Sequence, residues 1–229
     1  MVLQRSDGRT DNLQLRPPTT TLSPLSRADG SARFAYGKSA VLAAVYGPKE
    51  VRLRDELLDS AKIEVLFRPL VGLSGTTERL YEKTIREILE SVILKHLHPR
   101  TSVQTFEGAD DDSSSLILSC AINATILALM DAGVGLKSMV ASVTCIIDDS
   151  NQLVLDPSAE EIKGAKSVHV FTFDNVSKDV TSCVSTGVYT YEQYKSVFEV
   201  SQSACASVQA VYRQTMENKV GGVETVDEE

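Results

Sequence analysis

The sequence predicts an α+β domain with helices packed against a mixed sheet. Three observations lead there. Strand-like segments crowd the chain up to Leu70 and recur from Val140. One helical run, Leu116 to Ala132, is apolar on nearly every side. A stripe of apolar and small residues spaced three and four apart runs from Tyr191 to Thr215.

The chain opens with a polar arm, residues 1–18, carrying Arg5-Ser6-Asp7-Gly8-Arg9 and Leu15-Arg16-Pro17-Pro18; it reads as extended, with little core of its own. The domain proper is expected over 19–218. Thr19 to Ser26 is rich in β-branched residues, and Asp29-Gly30 is a turn signal before a strand from Ser31 to Tyr36. Gly37-Lys38 turns into Ser39 to Tyr46, which Gly47-Pro48 should end. Lys49 to Ser60 reads as a charged loop. Ala61 to Leu70 alternates, with Ile63, Val65 and Phe67 set against Lys62, Glu64 and Arg68.

Ser74-Gly75-Thr76-Thr77 starts a helix that places Tyr81, Ile85, Ile88 and Val92 on one face and should end near His96 to Pro99. Thr101 to Glu107 is the next strand. It leads into the buried helix, and Gly133 fits the left-handed position just past that helix. This run is shorter than the ~20 residues of a membrane span and is broken by Ser119, Asn123 and Asp131. Val140 to Ile147 and Gln152 to Leu155 form a strand pair. Ser158 with Glu161 makes a capping box for a short helix ending at Gly164, and Ser167 to Phe173 and Thr181 to Gly187 are the last strands. Thr190 with Gln193 caps the final helix. The tail, 219–229, is acidic and expected to be disordered.

The 229 residues carry a formal net charge of −8, so a free-standing basic nucleic-acid surface is not expected and any RNA contact must be local or shared with partners. Cys120, Cys145, Cys183 and Cys205 lie far apart in apolar surroundings, without a Cys-x-x-Cys pair, and read as buried reduced thiols. His96 and His98 sit at a helix end, where imidazolium complements the dipole, and His169 sits inside a strand. No His/Cys spacing suggests zinc. Asp110, Asp111 and Asp112 could hold a divalent ion, but no ligand array accompanies them, and they read as solvated groups capping the buried helix. No metal or cofactor site is expected.

Several stretches resemble the RNase PH family: Asp29-Gly30-Ser31-Ala32, Val45-Tyr46-Gly47-Pro48-Lys49-Glu50, His98-Pro99-Arg100-Thr101-Ser102, Ile122-Asn123-Ala124 with Leu127 to Gly133, and Leu153-Val154-Leu155-Asp156-Pro157-Ser158. The resemblance implies an RNase PH-like (ribosomal protein S5 domain 2-like) two-layer fold, with mixed sheets packed with helices. It also implies descent from phosphorolytic 3′ to 5′ exoribonucleases. These hold phosphate with Gly-(Ser/Thr)-Arg at the start of the central helix and carry aspartates just after the Leu-Asp strand. The first motif falls at or next to Ser115-Leu116-Ile117, where the arginine is replaced by an apolar residue that cannot make a bidentate, charge-assisted bond. The neighbouring aspartates would repel phosphate by ~3 kcal/mol per unit-charge pair at ~6 Å and an effective dielectric near ~20. The second place, Ile162 to Val168, has no carboxylate.

The expectation is therefore a catalytically inactive, structural ring subunit of the eukaryotic exosome, in nucleus, nucleolus and cytoplasm. Its implied partners are other RNase PH-like ring subunits, with one of the ribosomal RNA-processing protein 43 type as dimer partner, cap subunits, and RNA in a shared channel. No membrane is implied. Arg68, Arg79 and Arg86 are the candidates for local RNA contact, and Arg5 and Arg9 in the arm are weaker ones, for a neighbour or RNA. Two alternatives stand. One is a working phosphorolytic or metal-dependent RNase using Asp110 to Asp112; the other is a homo-oligomer outside the exosome.

Overall fold

A computed structural model describes residues 5, 8, 9, 11–70, 72–109 and 114–224. In chain order the elements are β1 (Thr19–Leu22), β2 (Gly30–Tyr36), β3 (Ser39–Glu50), β4 (Lys62–Arg68), α1 (Thr76–Val92), β5 (Thr101–Ala109), α2 (Ser114–Asp131), β6 (Val140–Asp148), β7 (Leu153–Leu155), α3 (Ala159–Lys163), β8 (Ala165–Asp174), β9 (Val180–Gly187) and α4 (Tyr191–Glu224). They build two sheets, ordered β1-β2-β3-β5-β4 and β7-β6-β8-β9. Among the described strands only β4 and β5 run parallel, because α1 carries the chain back between them.

The buried face of the first sheet presents Ala32, Phe34, Val41, Ala43, Val45, Ile63, Val65, Phe67 and Val103 to a core shared with α1 and α2. α2 is the pivot. It packs against β2 and β3 on one side and β6 and β8 on the other. A helix between two sheets has no wet face, which is why its sequence lacks a polar stripe. It ends in a Schellman arrangement: Val134 N–H donates to Leu129 O (3.1 Å), Gly133 N–H donates to Met130 O (3.1 Å), and Gly133 has φ 70°. No described helix is long and apolar enough to cross a membrane.

The last turn of α2 lies against the start of β2. A Cβ on Gly30 would stand 2.3 Å from Ala132 N and 2.4 Å from Ala128 O, so only glycine permits the approach. Asp131 closes the junction. Its carboxylate accepts from Ser31 N–H (2.9 Å), from Ser23 Oγ (2.9 Å) and from Lys219 on α4.

Four expectations need correction. β3 does not stop at Gly47-Pro48. Gly47 (φ 122°) and the cis Pro48 form a bulge, after which Lys49 and Glu50 pair with Ser102 and Thr101. α1 ends at Val92, short of His96, because Ile93 turns extended and bridges Leu136; a 3₁₀ turn follows over Lys95–Leu97. α4 runs past the expected boundary at 219 to Glu224, its late turns tied down by Lys219 on Asp131 and Ser23. Cys183 is exposed, because β9 is an edge strand; Cys120, Cys145 and Cys205 are buried, as read. Both capping boxes are present. Glu161 N–H donates to Ser158 Oγ (3.3 Å) and Gln193 N–H to Thr190 Oγ1 (3.3 Å), with the reciprocal bonds at 2.7 and 2.9 Å.

Candidate functional site

Strand β6 lies between the start of α2 and β8, the elements that carry the two places expected for phosphate and for the aspartates. Near the start of α2, Thr144 Oγ1 of β6 donates to Ser119 Oγ (3.0 Å), and Ser119 Oγ donates to Leu116 O (3.0 Å). Thr144 is in register with Val170 on β8. Asp110 to Ser113 lie outside the described residues, as do the side chains of Ser114 and Ser115. Leu116 and Ile117 are described, and both are buried apolar side chains; Ile117 is 5 % exposed and belongs to the core. Where the resemblance places a guanidinium, the fold holds a hydrocarbon packed away from solvent.

At the second place α3 gives way to β8. Lys163, Gly164 and Lys166 are exposed, Ser167 and His169 buried. His169 lies between two hydroxyls, with Nε2 3.0 Å from Ser167 Oγ and Nδ1 2.9 Å from Ser185 Oγ. Burial lowers its pKa below the ordinary imidazole value. A neutral imidazole satisfied on both nitrogens serves as a structural cross-link between β8 and β9. The reading of His169 as a strand residue holds.

The carboxylate beside this region is Asp156, and it is fully engaged. Its N–H donates to Thr144 O (3.0 Å), and its φ of 48° is left-handed, which aspartate tolerates better than most residues. Arg16 grips it twice, Nε to Oδ2 at 2.7 Å and Nη2 to Oδ1 at 2.6 Å. Arg9 lies 3.5 Å from Oδ2 and donates to Asp156 O (2.7 Å). Arg5, 7 % exposed, donates to Leu155 O (3.1 Å), to Asp156 O (2.9 Å) and bidentately to Glu161 (3.0 and 2.8 Å). Burial pushes the Glu161 carboxyl up, but the bonds from Arg5 and the Ser158 N–H outweigh it and hold the pKa below the usual range. Three arginines thus converge on two acids. The arm, read as having little core, is pinned to the second sheet, and Arg5 and Arg9 face their own chain. Sequence reasoning missed this clamp: its halves are separated by 140 residues or more, and only the paired Arg-Ser-Asp-Gly-Arg and Leu-Asp-Pro stretches hinted at it.

Arg68, Arg79 and Arg86 are all exposed, but they do not converge. Arg79 and Arg86, seven residues apart, share the α1 face opposite Tyr81, Ile85 and Ile88. Arg68 has the opposite parity to Phe67, which packs edge-on to Tyr81 of α1 (5.7 Å), and so lies on the outward face of the sheet. Among the described residues no group of three His, Cys, Asp or Glu is placed to hold a metal.

The family description "3′ exoribonuclease family" matches twice, domain 1 over residues 14–135 and domain 2 over 138–204. The chain is 35% identical to the rice (Oryza sativa subsp. japonica) protein named exosome complex exonuclease RRP46 homolog, over 95% of this chain and 98% of that one. It is 32% identical to exosome complex component RRP46 of Saccharomyces cerevisiae, over 86% and 93%. The crystal structure of rice Rrp46 superposes with a TM-score of 0.85 at 36% identity, covering 92% of this chain and 99% of that one. A chain of the Archaeoglobus fulgidus exosome with RNA bound to the active site matches at a TM-score of 0.75 and 19% identity over 92% and 93%, a likeness of fold.

Proposed function

This chain belongs to the RNase PH family of 3′ exoribonucleases, and we propose that within it the chain is a non-catalytic ring subunit of the exosome core. The observation that carries the reading is Ile117. A phosphorolytic site needs a cation where phosphate binds, and the fold buries an isoleucine there. The arginines of the arm cannot substitute. Arg5, Arg9 and Arg16 are held by Asp156, Glu161 and main-chain carbonyls. The second place supplies two lysines and a serine instead of carboxylates.

The relatives named as exosome components support the assembly. The partners we assign are other RNase PH-like ring subunits, one of the ribosomal RNA-processing protein 43 type beside this chain, and cap subunits, with RNA passing through the shared channel. Arg79 and Arg86 are the local RNA contacts of this subunit. Arg68 faces elsewhere. Such a subunit works in nucleus, nucleolus and cytoplasm.

A second reading, a working RNase, is favoured by one observation: the rice relative is named an exonuclease. The test mixes the purified chain with single-stranded RNA, with and without phosphate or a divalent ion. The proposal expects neither nucleoside diphosphates nor monophosphates above background. Release abolished by Asp111→Ala would establish the enzyme instead.

A further inference from the structure

Among the described residues four buried side-chain polar atoms have no hydrogen-bond partner: Tyr36 Oη, Ser102 Oγ, Thr105 Oγ1 and Glu107 Oε2. The last two stand side by side. Thr105 and Glu107 are alternate residues of β5, so both project from the inner face of the first sheet. Their neighbours in register, Val45 and Val65 for Thr105 and Ala43 and Phe67 for Glu107, all belong to the core. Thr105 is 0 % exposed and Glu107 1 %. Ser102 has the other parity and falls on the opposite face, and Tyr36 lies on β2. The second oxygen of Glu107 is answered: Oε1 lies 2.7 Å from Thr125 Oγ1 of α2, a hydroxyl also 2.8 Å from Ala121 O. Glu82 of α1 is the charged group that acts on Glu107, and its own carboxylate accepts from Phe67 N–H (2.9 Å). Burial and that like charge keep the proton on Glu107. A carboxylic acid that keeps its proton has to give it to an acceptor, and no protein atom within reach of Oε2 takes it.

We propose that the inner face of β5 is an internal hydration site, where one water links Glu107 Oε2 to Thr105 Oγ1, accepting the proton of the acid and donating to the hydroxyl. Buried polar atoms that the protein cannot pair are where internal waters sit. Immobilising one water costs less than leaving two such atoms unpaired. The spacing suits a single molecule. Two residues along a strand span ~6.7 Å. Two hydrogen bonds of ~2.8 Å through one water bridge most of that, and the longer glutamate side chain closes the remainder. The donor set selects water over an ion. A hard cation takes about six oxygens or more, and only two unpaired ones face each other here. An anion would meet the Glu107 carboxyl and the charge of Glu82.

The test is a crystal structure of the full chain at about pH 6, where Glu107 keeps its proton, at a resolution that orders internal waters. One ordered peak is expected within hydrogen-bond distance of both atoms, retained in Thr105→Ser and lost in Thr105→Val. A direct bond between Glu107 and Thr105, or no peak beside Glu107 Oε2, overturns the inference. Solution denaturation gives a second reading. Two side chains joined through a water are coupled although they do not touch. Thr105→Val should therefore raise the unfolding constant at least ~10-fold in the wild-type chain and no more than ~2-fold in the Glu107→Leu background. Equal effects in both backgrounds would mean that nothing joins the two positions. Where Glu107→Leu does not fold, the crystal comparison of the Thr105 variants decides alone.

Discussion

The side chain of Asn123 pairs with the main chain of Ser142 in both directions. Its Nδ2 donates to Ser142 O (2.9 Å), and Ser142 N–H donates to its Oδ1 (2.8 Å). β7 pairs with β6 only at Cys145 to Ile147, so Ser142 lies on a free edge, and an amide from α2 completes it as a strand would. Tyr212 O–H of α4 donates to the same Oδ1 (2.7 Å). One side chain thus joins the central helix, the second sheet and the last helix. Asn123→Leu keeps the volume but leaves three buried polar groups without partners. It should cost about 3 kcal/mol or more in chemical denaturation. A loss under about 1 kcal/mol would mean that the amide is incidental.

Glu107 is buried on β5, with Oε1 2.7 Å from the Thr125 hydroxyl and Oε2 without a partner. Burial raises its pKa to about 7; the Thr125 bond opposes this, and Glu82 adds to it. The folded protein therefore binds a proton that the unfolded chain, with a carboxyl near ~4.3, releases. The stabilising contribution is complete below about pH 4 and is lost as pH rises towards 7, about 4 kcal/mol in all. Glu107→Gln should raise stability at pH 8 and remove this slope, as read from denaturation midpoints between pH 5 and pH 8. An unchanged slope would show that Glu107 is already ionised in the folded state.

Most elements were legible from periodicity and caps, since alternation in β4, the two capping boxes and Gly133 all act locally. Asn123 and Asp131 were legible only as interruptions of an apolar run. Their partners, Ser142, Tyr212, Ser31 and Lys219, lie far along the chain, and spacing carries no record of such contacts. The strand past Pro48 was missed because a bulge lets pairing resume beyond residues that usually end it. At the candidate site the apolar residues at the start of α2, where the resemblance implies an arginine, could be read from the sequence, whereas the clamp on Asp156 could not.

That clamp predicts a coupled loss. Asp156→Asn keeps the left-handed backbone but removes the charge that Arg16 and Arg9 answer. It should destabilise the fold by about 3 kcal/mol and expose the arm to trypsin after Arg5 and Arg9. Unchanged proteolysis would show that the main-chain bonds alone hold the arm.

The junction of β2 and α2 predicts a contrast between two glycines. Gly30→Ala drives a methyl into Ala132 N and Ala128 O and should cost at least about 2 kcal/mol. Gly108→Ala, with open space above it, should leave stability within about 0.5 kcal/mol. Thermal melts of the two variants decide it, and equal Tm values would contradict the close approach.

The most direct measurement is phosphate-dependent product release by the isolated chain. The chain is incubated with single-stranded RNA and inorganic phosphate, and nucleoside diphosphates are quantified. With Ile117 in the core where the phosphate-binding arginine would stand, the expected yield is indistinguishable from a reaction without protein. Phosphate-dependent diphosphate release that scales with the amount of chain would contradict the non-catalytic assignment.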